Sequence, residues 1–426
     1  MMAQTILPFK LEITSDTMTA HAGLALIGEY LHAMSLPRTL DQELPGPGSG
    51  AGYDPSAFVM PLLLMLHGGG RSLEDLRQIR EDAGLRELLG LDRMPSSDAT
   101  GDWLRRMGSG LGLAGSAAVN RDLLRRGMKR DGMTAYTLDI DASQIVAEKE
   151  EASFTYKGER GYMPIVGHLA ENGLVVGDEF RSGNDAPQAR NLEFIEYCVS
   201  QMPEGKRIGF LRADSATYQA KVFNWCEMKQ VQFAIGADLD AAVLGVIKSI
   251  SESEWRPYQD GHIAETVHSM EKTEKAFRLI VIRRPVQGEL FGEDDSRVKY
   301  HVIASNREET AEETLGWYNR RGDASENRIK ELKIGFGMER MPCGGQEANA
   351  MFFRIGILAY NTFVLFKKDA LPAEWSRSQV QTIRWRLYQT AGKIVDHARG
   401  VILKIRRSMH ALFEEVRTRC WELSLA

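Results

Sequence analysis

Hydrophobic positions divide the chain into three stretches with different periodicity. Up to about residue 130, apolar residues recur at helical spacing over residues 24–34, 56–66 and 72–88. A loop rich in glycine and proline at residues 45–53 separates the first two of these segments. The pattern turns to strands near residue 133, and from residue 309 to the C-terminus it predicts helices again.

The middle stretch alternates strand-like and helix-like segments. We predict strands at 134–145, 152–157, 173–179, 207–214 and 231–235, with helices at 189–202 and 217–228. This order predicts an α/β core in which an antiparallel meander of three strands is extended by parallel strands through helical crossovers. Residues 237–307 then return to β character, with two strong strands joined by an acidic loop at 288–296.

Composition narrows the class of protein only slightly. The net charge of −5 argues weakly against a nucleic-acid partner, but basic residues cluster locally. One cluster is Arg121, Arg125, Arg126, Lys129 and Arg130. The second runs along the C-terminal segment through Arg377, Arg384, Arg386, Lys393, Arg399, Lys404, Arg406, Arg407, Arg417 and Arg419. Each cluster could equally be a solvated helix face.

Targeting and redox signals point to the cytoplasm. The longest apolar run, residues 58–66, is far shorter than a membrane span, and the N-terminus does not resemble an export signal. The four cysteines are scattered without zinc-ligand spacing, so we expect reduced thiols.

Two carboxylate positions on strands are candidates for metal binding. Asp139 and Asp141 lie two residues apart in LDIDAS and therefore project from one face of the strand, although a strand-edge pair with ordinary solvation is an alternative. Asp214 ends the apolar strand IGFLRAD, where ligand sites of open α/β sheets lie. A helix N-cap explains Asp214 equally well.

A third carboxylate, Glu326, lies in the segment YNRRGDASENRIKELK. The alternative here is a capping box, with Asp323 as N-cap and Glu326 at the third helical position. Together the three carboxylates suit a pair of Mg²⁺ ions, which activate the attacking oxygen and stabilise the leaving oxygen in phosphoryl transfer.

Several motifs resemble those of DDE transposases of bacterial insertion sequences. These motifs are LDIDAS, GYMPIVGHLAENGLVVGDEFRSGN, LRADSATY followed by CEMKQVQFAIGA, YNRRGDASENRIKELK and AYNTFVLFK. The chain looks most like the insertion-sequence thirteen-eighty family, also described as DDE group one, clearly over residues 130–370. The resemblance implies an RNase H-like catalytic domain at 131–335 with a β-rich insertion at about 237–307. A helical DNA-binding region at 1–130 and a helical C-terminal region at 336–426 would flank it.

The same resemblance assigns roles to individual residues. The family's Asp-x-Thr element matches Asp141-Ala142-Ser143, which favours Asp141 over Asp139 as first metal ligand, with Asp214 and Glu326 as the others. The family's Tyr-Arg-Glu-Lys signature maps onto Tyr318, Arg321, Glu326 and Lys333, which implies that Tyr318, Arg321 and Lys333 hold DNA phosphates. The Arg-to-Glu gap is one residue longer than in better-known relatives, which leaves Arg320 as a substitute for Arg321.

The resemblance also implies that an aromatic residue of the insertion stacks on a flipped base. Trp255 is the first candidate and Tyr258 the second, while core packing is the alternative for Trp255. His168 and His301 could serve in metal or acid–base chemistry, but a lone histidine on a strand is more often structural.

These observations predict a metal-dependent enzyme, a bacterial DNA transposase. Water would attack a phosphodiester at the element end, and the freed 3′-OH would then attack target DNA. The same carboxylates would serve both steps with two bound Mg²⁺ ions, for which Mn²⁺ could substitute. Expected partners are double-stranded terminal inverted repeats, target DNA and a second copy of the chain, with no membrane; the expected location is the cytoplasm, at the nucleoid during activity. Alternatives are an RNase H-like nuclease without joining activity and a non-enzymatic DNA-binding protein derived from a transposase.

Overall fold

The computed structural model describes residues 9–48, 50–129, 131–285, 298–397 and 400–425, with the side chains of 323–326 excepted. The strands are β1 Met18–Thr19, β2 Ala135–Ala142, β3 Ile145–Val146, β4 Ser153–Phe154, β5 Arg160–Tyr162, β6 Ile165–Leu169, β7 Val175–Glu179, β8 Arg207–Ala213, β9 Gln232–Gly236, β10 Arg256–Tyr258, β11 Gly261–His268, β12 Phe277–Pro285, β13 Val298–Ser305, β14 Gly392–His397 and β15 Gly400–Ile405. The α-helices are α1 Leu24–Ala33, α2 Leu36–Glu43, α3 Pro55–Gly68, α4 Leu76–Glu81, α5 Ala83–Leu89, α6 Ser97–Met107, α7 Gly110–Met128, α8 Asn191–Ser200, α9 Ala220–Lys229, α10 Ala241–Lys248, α11 Ala311–Lys330, α12 Gln346–Asp369, α13 Val380–Ile383 and α14 Arg407–Ser424.

A mixed sheet of nine strands organises the middle of the chain, in the order β10-β11-β12-β13-β9-β8-β2-β6-β7. Strand β2 pairs antiparallel with β6 and parallel with β8, β6 pairs antiparallel with β7, and β8 pairs parallel with β9. Helices α8 and α9 precede and follow β8 as crossovers. The predicted topology, an antiparallel meander extended by parallel strands, is therefore confirmed, but one of its three predicted meander strands is not the one found.

The middle strand of that meander was predicted in the wrong place. It is β6, at 165–169, whereas the predicted strand at 152–157 contributes only β4 to a separate small sheet of order β3-β5-β4. Every residue of β6 is buried, so the strand lacks the alternation of apolar and polar residues that marks a half-exposed strand. The interior glycine Gly167 weakens the strand signal further.

The β segment after β9 extends the central sheet. Strands β10 to β13 pair antiparallel in sequence, and β13 joins β9 through Ile303, Ala304 and Ser305. The predicted strands near 276–285 and 297–305 are thus present as β12 and β13. The predicted acidic loop at 288–296 lies outside the described residues.

Helix α12 lies at the centre of the helical part of the molecule. Among the described residues it is the one helix long and apolar enough to span a membrane, but 89% of its most apolar window is buried inside the protein. It packs on α3, α6, α7 and β7. This is the burial expected of a core helix, which is hydrophobic all round.

The C-terminal region is not wholly helical, contrary to the prediction. Strands β14 and β15 form a hairpin, and β1 from the N-terminal region adds to β14 to complete a three-stranded sheet. Charged residues interleave with the apolar residues of KIVDH and GVILKI, and the surrounding arginines gave this segment the appearance of a polar helix. Helix α14 packs on α1, so the two ends of the chain form one structure.

Candidate active site

Two of the three predicted metal ligands lie at the carboxyl ends of adjacent parallel strands. Strands β2 and β8 are in register at Asp139 and Arg212, and two residues further along each strand come Asp141 and Asp214. The Asp141 side chain is 28% exposed. Asp214 is half-buried and also caps the 3₁₀ turn Ser215–Thr217, accepting a hydrogen bond from the Ala216 amide at 3.2 Å. The capping role of Asp214 is therefore real and leaves its other oxygen for a ligand.

Asp139, the competitor of Asp141, is committed to a buried ion pair. Its side chain is 1% exposed, and its two oxygens accept hydrogen bonds from Nε and Nη2 of Arg212, each at 2.7 Å. Arg212 also donates to the carbonyl of Trp317 at 2.6 Å. The interpretation of Asp139 as a solvated strand-edge residue is wrong, because its carboxylate is buried and its charge is compensated by the Arg212 guanidinium.

Helix α11 places Tyr318 and Arg321 over the two strand ends. Arg321 donates through Nη2 to the carbonyl of Ile140 and to Oδ1 of Asp141, both at 3.1 Å. The Tyr318 hydroxyl and the Ser215 amide nitrogen both lie next to Gly236: a Cβ atom added there would be 3.2 Å from the hydroxyl and 3.1 Å from the nitrogen. The hydroxyl is therefore close to the start of the turn that follows Asp214. Burial raises the pKa of Tyr318, opposed by Arg321 and assisted by the charges of Asp214 and Asp141.

Lys333 reaches the same strand end from a different segment. After α11 the chain forms a π-helical turn at Glu331–Gly335, a feature that often marks functional sites. Lys333 Nζ donates to Ser143 Oγ and to the Gln144 carbonyl, both at 3.0 Å. Burial lowers the pKa of this amine. Tyr318, Arg321 and Lys333 are therefore brought together around the end of β2.

Glu326 lies on α11, and its side chain is outside the described part of the structure. The alternative of a capping box at Asp323 and Glu326 is wrong, because α11 begins at Ala311 and runs through both positions. The capping box of this helix is formed by Thr310 and Glu313 instead.

The described side chains provide two carboxylates for a metal site. Among them, with residues 323–326 excluded, no group of three or more His, Cys, Asp or Glu residues is placed to hold an ion. Asp141 and Asp214 supply the carboxylate oxygens that hard divalent cations prefer. The predicted third ligand remains a prediction.

Trp255 is buried, which agrees with the core-packing alternative. It is 9% exposed, with the Arg283 guanidinium 4.3 Å from its ring centre and the Tyr300 ring at 6.5 Å. A base could stack on this indole only after Arg283 moved aside. Tyr258, the second candidate, is half-buried, and Arg320 is exposed on α11.

The two histidines differ in environment. His168 is fully buried next to the Tyr360 ring, and burial lowers its pKa to about 3. Neither ring nitrogen has a hydrogen-bond partner within the described residues, so this imidazole is a neutral part of the core. Burial also lowers the pKa of His301, whose ring lies 6.1 Å from that of Tyr318.

Part of each basic cluster is engaged in contacts with other residues of the chain. On α7, Arg125 and Arg126 pair with Asp122. Arg384 is buried and donates to the carbonyls of Leu66 and His67 at the end of α3. Arg130 and Arg399 lie outside the described residues. The role of these clusters in DNA recognition remains a prediction.

Two features of the site were missed in the sequence. Arg212 is a charged residue in an otherwise apolar strand, which by itself requires a buried partner and could have pointed to Asp139. Phe154 and Tyr156 are exposed next to Asp214, and their alternation around Thr155 in SFTY was the available signal.

Comparisons with known proteins identify the family of the chain. A family model described as "Transposase DDE domain group 1" matches residues 7–422, so the chain belongs to this family of transposases. A cryo-EM structure of the piggyBac transposase synaptic complex with hairpin DNA aligns with a TM-score of 0.48 and 10% sequence identity, over 88% of this chain and 82% of that one. A search of curated proteins found no match.

Proposed function

We propose that this DDE transposase cuts DNA at the ends of a mobile element and joins the freed 3′-hydroxyl to target DNA. The observation that carries the proposal is the meeting of Asp141 and Asp214 at the ends of adjacent parallel strands, under Tyr318, Arg321 and Lys333. Carboxylates with phosphate-binding cations beside them suit phosphodiester chemistry.

The strand order supports an RNase H-like core. Strands β7-β6-β2-β8-β9 form a five-strand unit with three antiparallel and then two parallel members. We propose that β10 to β13 are the insertion between the second Asp and the Glu, with the catalytic domain at 131–335 and flanking regions at 1–130 and 336–426. Membership of the insertion-sequence thirteen-eighty family belongs to the same proposal.

The site fits divalent metal ions, which DDE transposases generally use. Asp141 and Asp214 present oxygens at one edge of the sheet, and we propose Glu326 from α11 as the third ligand. Two Mg²⁺ ions bound there would polarise the scissile phosphate and activate the attacking oxygen in both steps. Mn²⁺ has similar ligand preferences and would replace Mg²⁺.

The cations around the site would hold the DNA backbone. The Nε of Arg321 is buried without a hydrogen-bond partner among the described residues, although its Nη2 has two. A buried donor without a partner is costly, and a phosphate oxygen would satisfy it. Lys333 would contribute a point charge, and the Tyr318 hydroxyl would donate a hydrogen bond.

The remaining partners follow from this chemistry. We propose that the N-terminal region and the basic C-terminal segment bind the terminal inverted repeats, and that two copies of the chain pair two ends. The bacterial cytoplasm, at the nucleoid, is the proposed location, because that is where such DNA lies.

A strand-transfer assay tests the proposal. The purified chain is incubated with Mg²⁺, supercoiled plasmid and a duplex carrying a pre-cleaved element end, and joined product is measured on a gel. We expect joining by the wild type, a loss of at least about 1,000-fold in Asp141→Asn and Asp214→Asn, and no change in Asp102→Asn, an exposed carboxylate on α6.

The outcome separates the alternatives. Cutting without joining would identify a nuclease. DNA binding without either reaction, unchanged by alanine at Asp141 and Asp214, would identify a non-enzymatic DNA-binding protein.

A further inference from the structure

Two aromatic side chains stand exposed beside the candidate active site. Phe154 is 65% exposed and Tyr156 is 66% exposed. Both line a groove of about 800 Å³ whose wall also contains Asp214 and Gln219. Neither ring belongs to the hydrophobic core, so both are accessible to a ligand that enters this groove.

The two rings are held in place by the residue between them. Thr155 is buried, and its hydroxyl accepts a hydrogen bond from the Gln144 side chain at 2.9 Å. Its amide donates to the Glu159 carbonyl at 2.8 Å and closes the tip of the β4–β5 hairpin. Strand β4 ends at Phe154 and Tyr156 begins the hairpin turn, so the two exposed rings flank the buried Thr155 at the tip of the hairpin.

The hairpin is also connected to the end of β2. The Gln144 side chain holds Thr155, while the Gln144 carbonyl accepts the hydrogen bond from Lys333. On the other side, Ser182 pairs with Tyr162 and its hydroxyl donates to Ser153 at 3.1 Å. The aromatic rings are therefore positioned by the same segment that follows Asp141.

Charge is divided between the groove and its rim. Asp185, Asp214 and Asp238 line the groove, and Asp185 is paired with Arg190. Beside the groove, Lys157 lies over the Tyr156 ring and the Arg160 guanidinium over the Phe154 ring, each 5.6 Å from the ring centre, which is farther than the 4.3 Å of Arg283 from Trp255. Within the described residues neither Lys157 nor Arg160 forms an ion pair. This arrangement suits phosphates at the rim and neutral bases in the groove.

We propose that Phe154 and Tyr156 form a stacking platform for unpaired nucleotides of the DNA end next to Asp214. The inference rests on the proposed function, since it supplies a binding place for the strand that is cut. Aromatic rings bind any base through its π-face, so the platform tolerates different sequences. Lys157 and Arg160 would contact the phosphates of the stacked nucleotides.

A binding comparison tests the platform directly. The affinity of the full chain is measured by fluorescence anisotropy, with Ca²⁺ in place of Mg²⁺, for a blunt duplex and for the same duplex with an overhang of five thymidines. The wild type should prefer the overhang by about ten-fold or more, given the strength of base–aromatic stacking. Phe154→Leu and Tyr156→Leu should each remove most of this preference.

Matched controls separate stacking from loss of structure. Tyr156→Phe keeps the ring and should keep the preference, and Trp421→Leu, at an aromatic residue 66% exposed on α14, should leave it unchanged. Urea unfolding midpoints of the leucine variants should equal that of the wild type, because exposed side chains contribute little to stability.

Two results would overturn the proposal. One is an overhang preference that survives in the double leucine variant. The other is a double leucine variant that keeps the preference and also changes its oligomeric state. That result would show that the two rings contact a second copy of the chain. Because binding is measured without chemistry, failure of the joining assay would count against the proposed function and leave the platform standing.

Discussion

Arg212 and Asp139 form a buried, bidentate ion pair, in which both hydrogen bonds are 2.7 Å long. Arg212 lies over the Trp317 ring at 5.1 Å and binds the Trp317 carbonyl, which precedes Tyr318 on α11. The pair therefore joins β2, β8 and α11, the three elements that carry the candidate ligands. Asp139 is therefore committed to holding these elements together, and Asp141, which pairs with Arg321, is the β2 carboxylate that we propose as a metal ligand.

The two aspartates of β2 should respond oppositely to substitution. Asp139→Ala should lower the free energy of unfolding by about 3–5 kcal/mol, because it leaves the Arg212 charge buried without its partner. Asp141→Asn should abolish joining and change stability by less than about 1 kcal/mol. Urea denaturation and the strand-transfer assay measure the two effects. A stable but inactive Asp139→Ala protein would show that the roles are reversed.

Acid should destabilise the protein through two buried histidines. Burial lowers the pKa of His67 and of His168 to about 3 each, against an ordinary value of 6.5. The unfolded chain therefore binds more protons below pH 6.5, so this stability is full above that pH and is lost as pH falls toward 3. In that window, each histidine should lower the free energy of unfolding by up to about 1.4 kcal/mol for every unit by which the pH falls.

Removing one of these histidines checks the sign. In urea titrations at pH 7.5, 5.5 and 4.5, His168→Leu should lose stability with a shallower slope than the wild type. His410→Asn, at an exposed position on α14, should follow the wild type. Equal slopes in all three proteins would show that His168 is protonated in the folded state.

Lys333 should bind DNA through charge alone. Lys333→Met keeps the length of the side chain and removes the amine that now binds Ser143 and Gln144. The slope of log affinity against log salt should fall in magnitude by about 0.9, the value for one phosphate contact. Fluorescence anisotropy at KCl concentrations from about 50 to 300 mM, a range that includes physiological ionic strength, measures this slope. Lys248→Met, exposed on α10, should keep the wild-type slope.

Gly183 should not tolerate a side chain. A Cβ there would lie 2.3 Å from the Ser153 carbonyl oxygen and 2.4 Å from that of Gly161, both of them backbone atoms. Gly183→Ala should therefore cost about 1–3 kcal/mol and displace the hairpin that carries Phe154 and Tyr156. Gly245→Ala on α10, where a Cβ meets nothing within 4 Å, should be neutral or stabilising by up to about 1 kcal/mol. Thermal unfolding of the two alanine variants measures this difference, and equal stability of both variants would exclude a tight contact at Gly183.

Much of the local structure could be predicted because its signals are local. The periodicity of α1 and α3, the apolar strands β8 and β9, and the pair β12 and β13 all follow from residues within one element. The placement of Asp214 at a strand end follows in the same way. The fully buried strand β6 and the hairpin β14–β15 were missed, since burial on both faces or interleaved charge hides the strand period.

By itself, the sequence determined the apolar strands that end at the aspartates, and through the family resemblance it predicted a site of carboxylates with a tyrosine, an arginine and a lysine on a later helical segment. Only the tertiary structure decided which side chains are available for chemistry. The charge of Asp139 is compensated by Arg212, 73 residues away, and Trp255 is buried under Arg283, whereas Phe154 and Tyr156 are exposed in the groove that contains Asp214. The reason is physical: the exposure and charge of a side chain depend on partners that folding brings from distant parts of the chain.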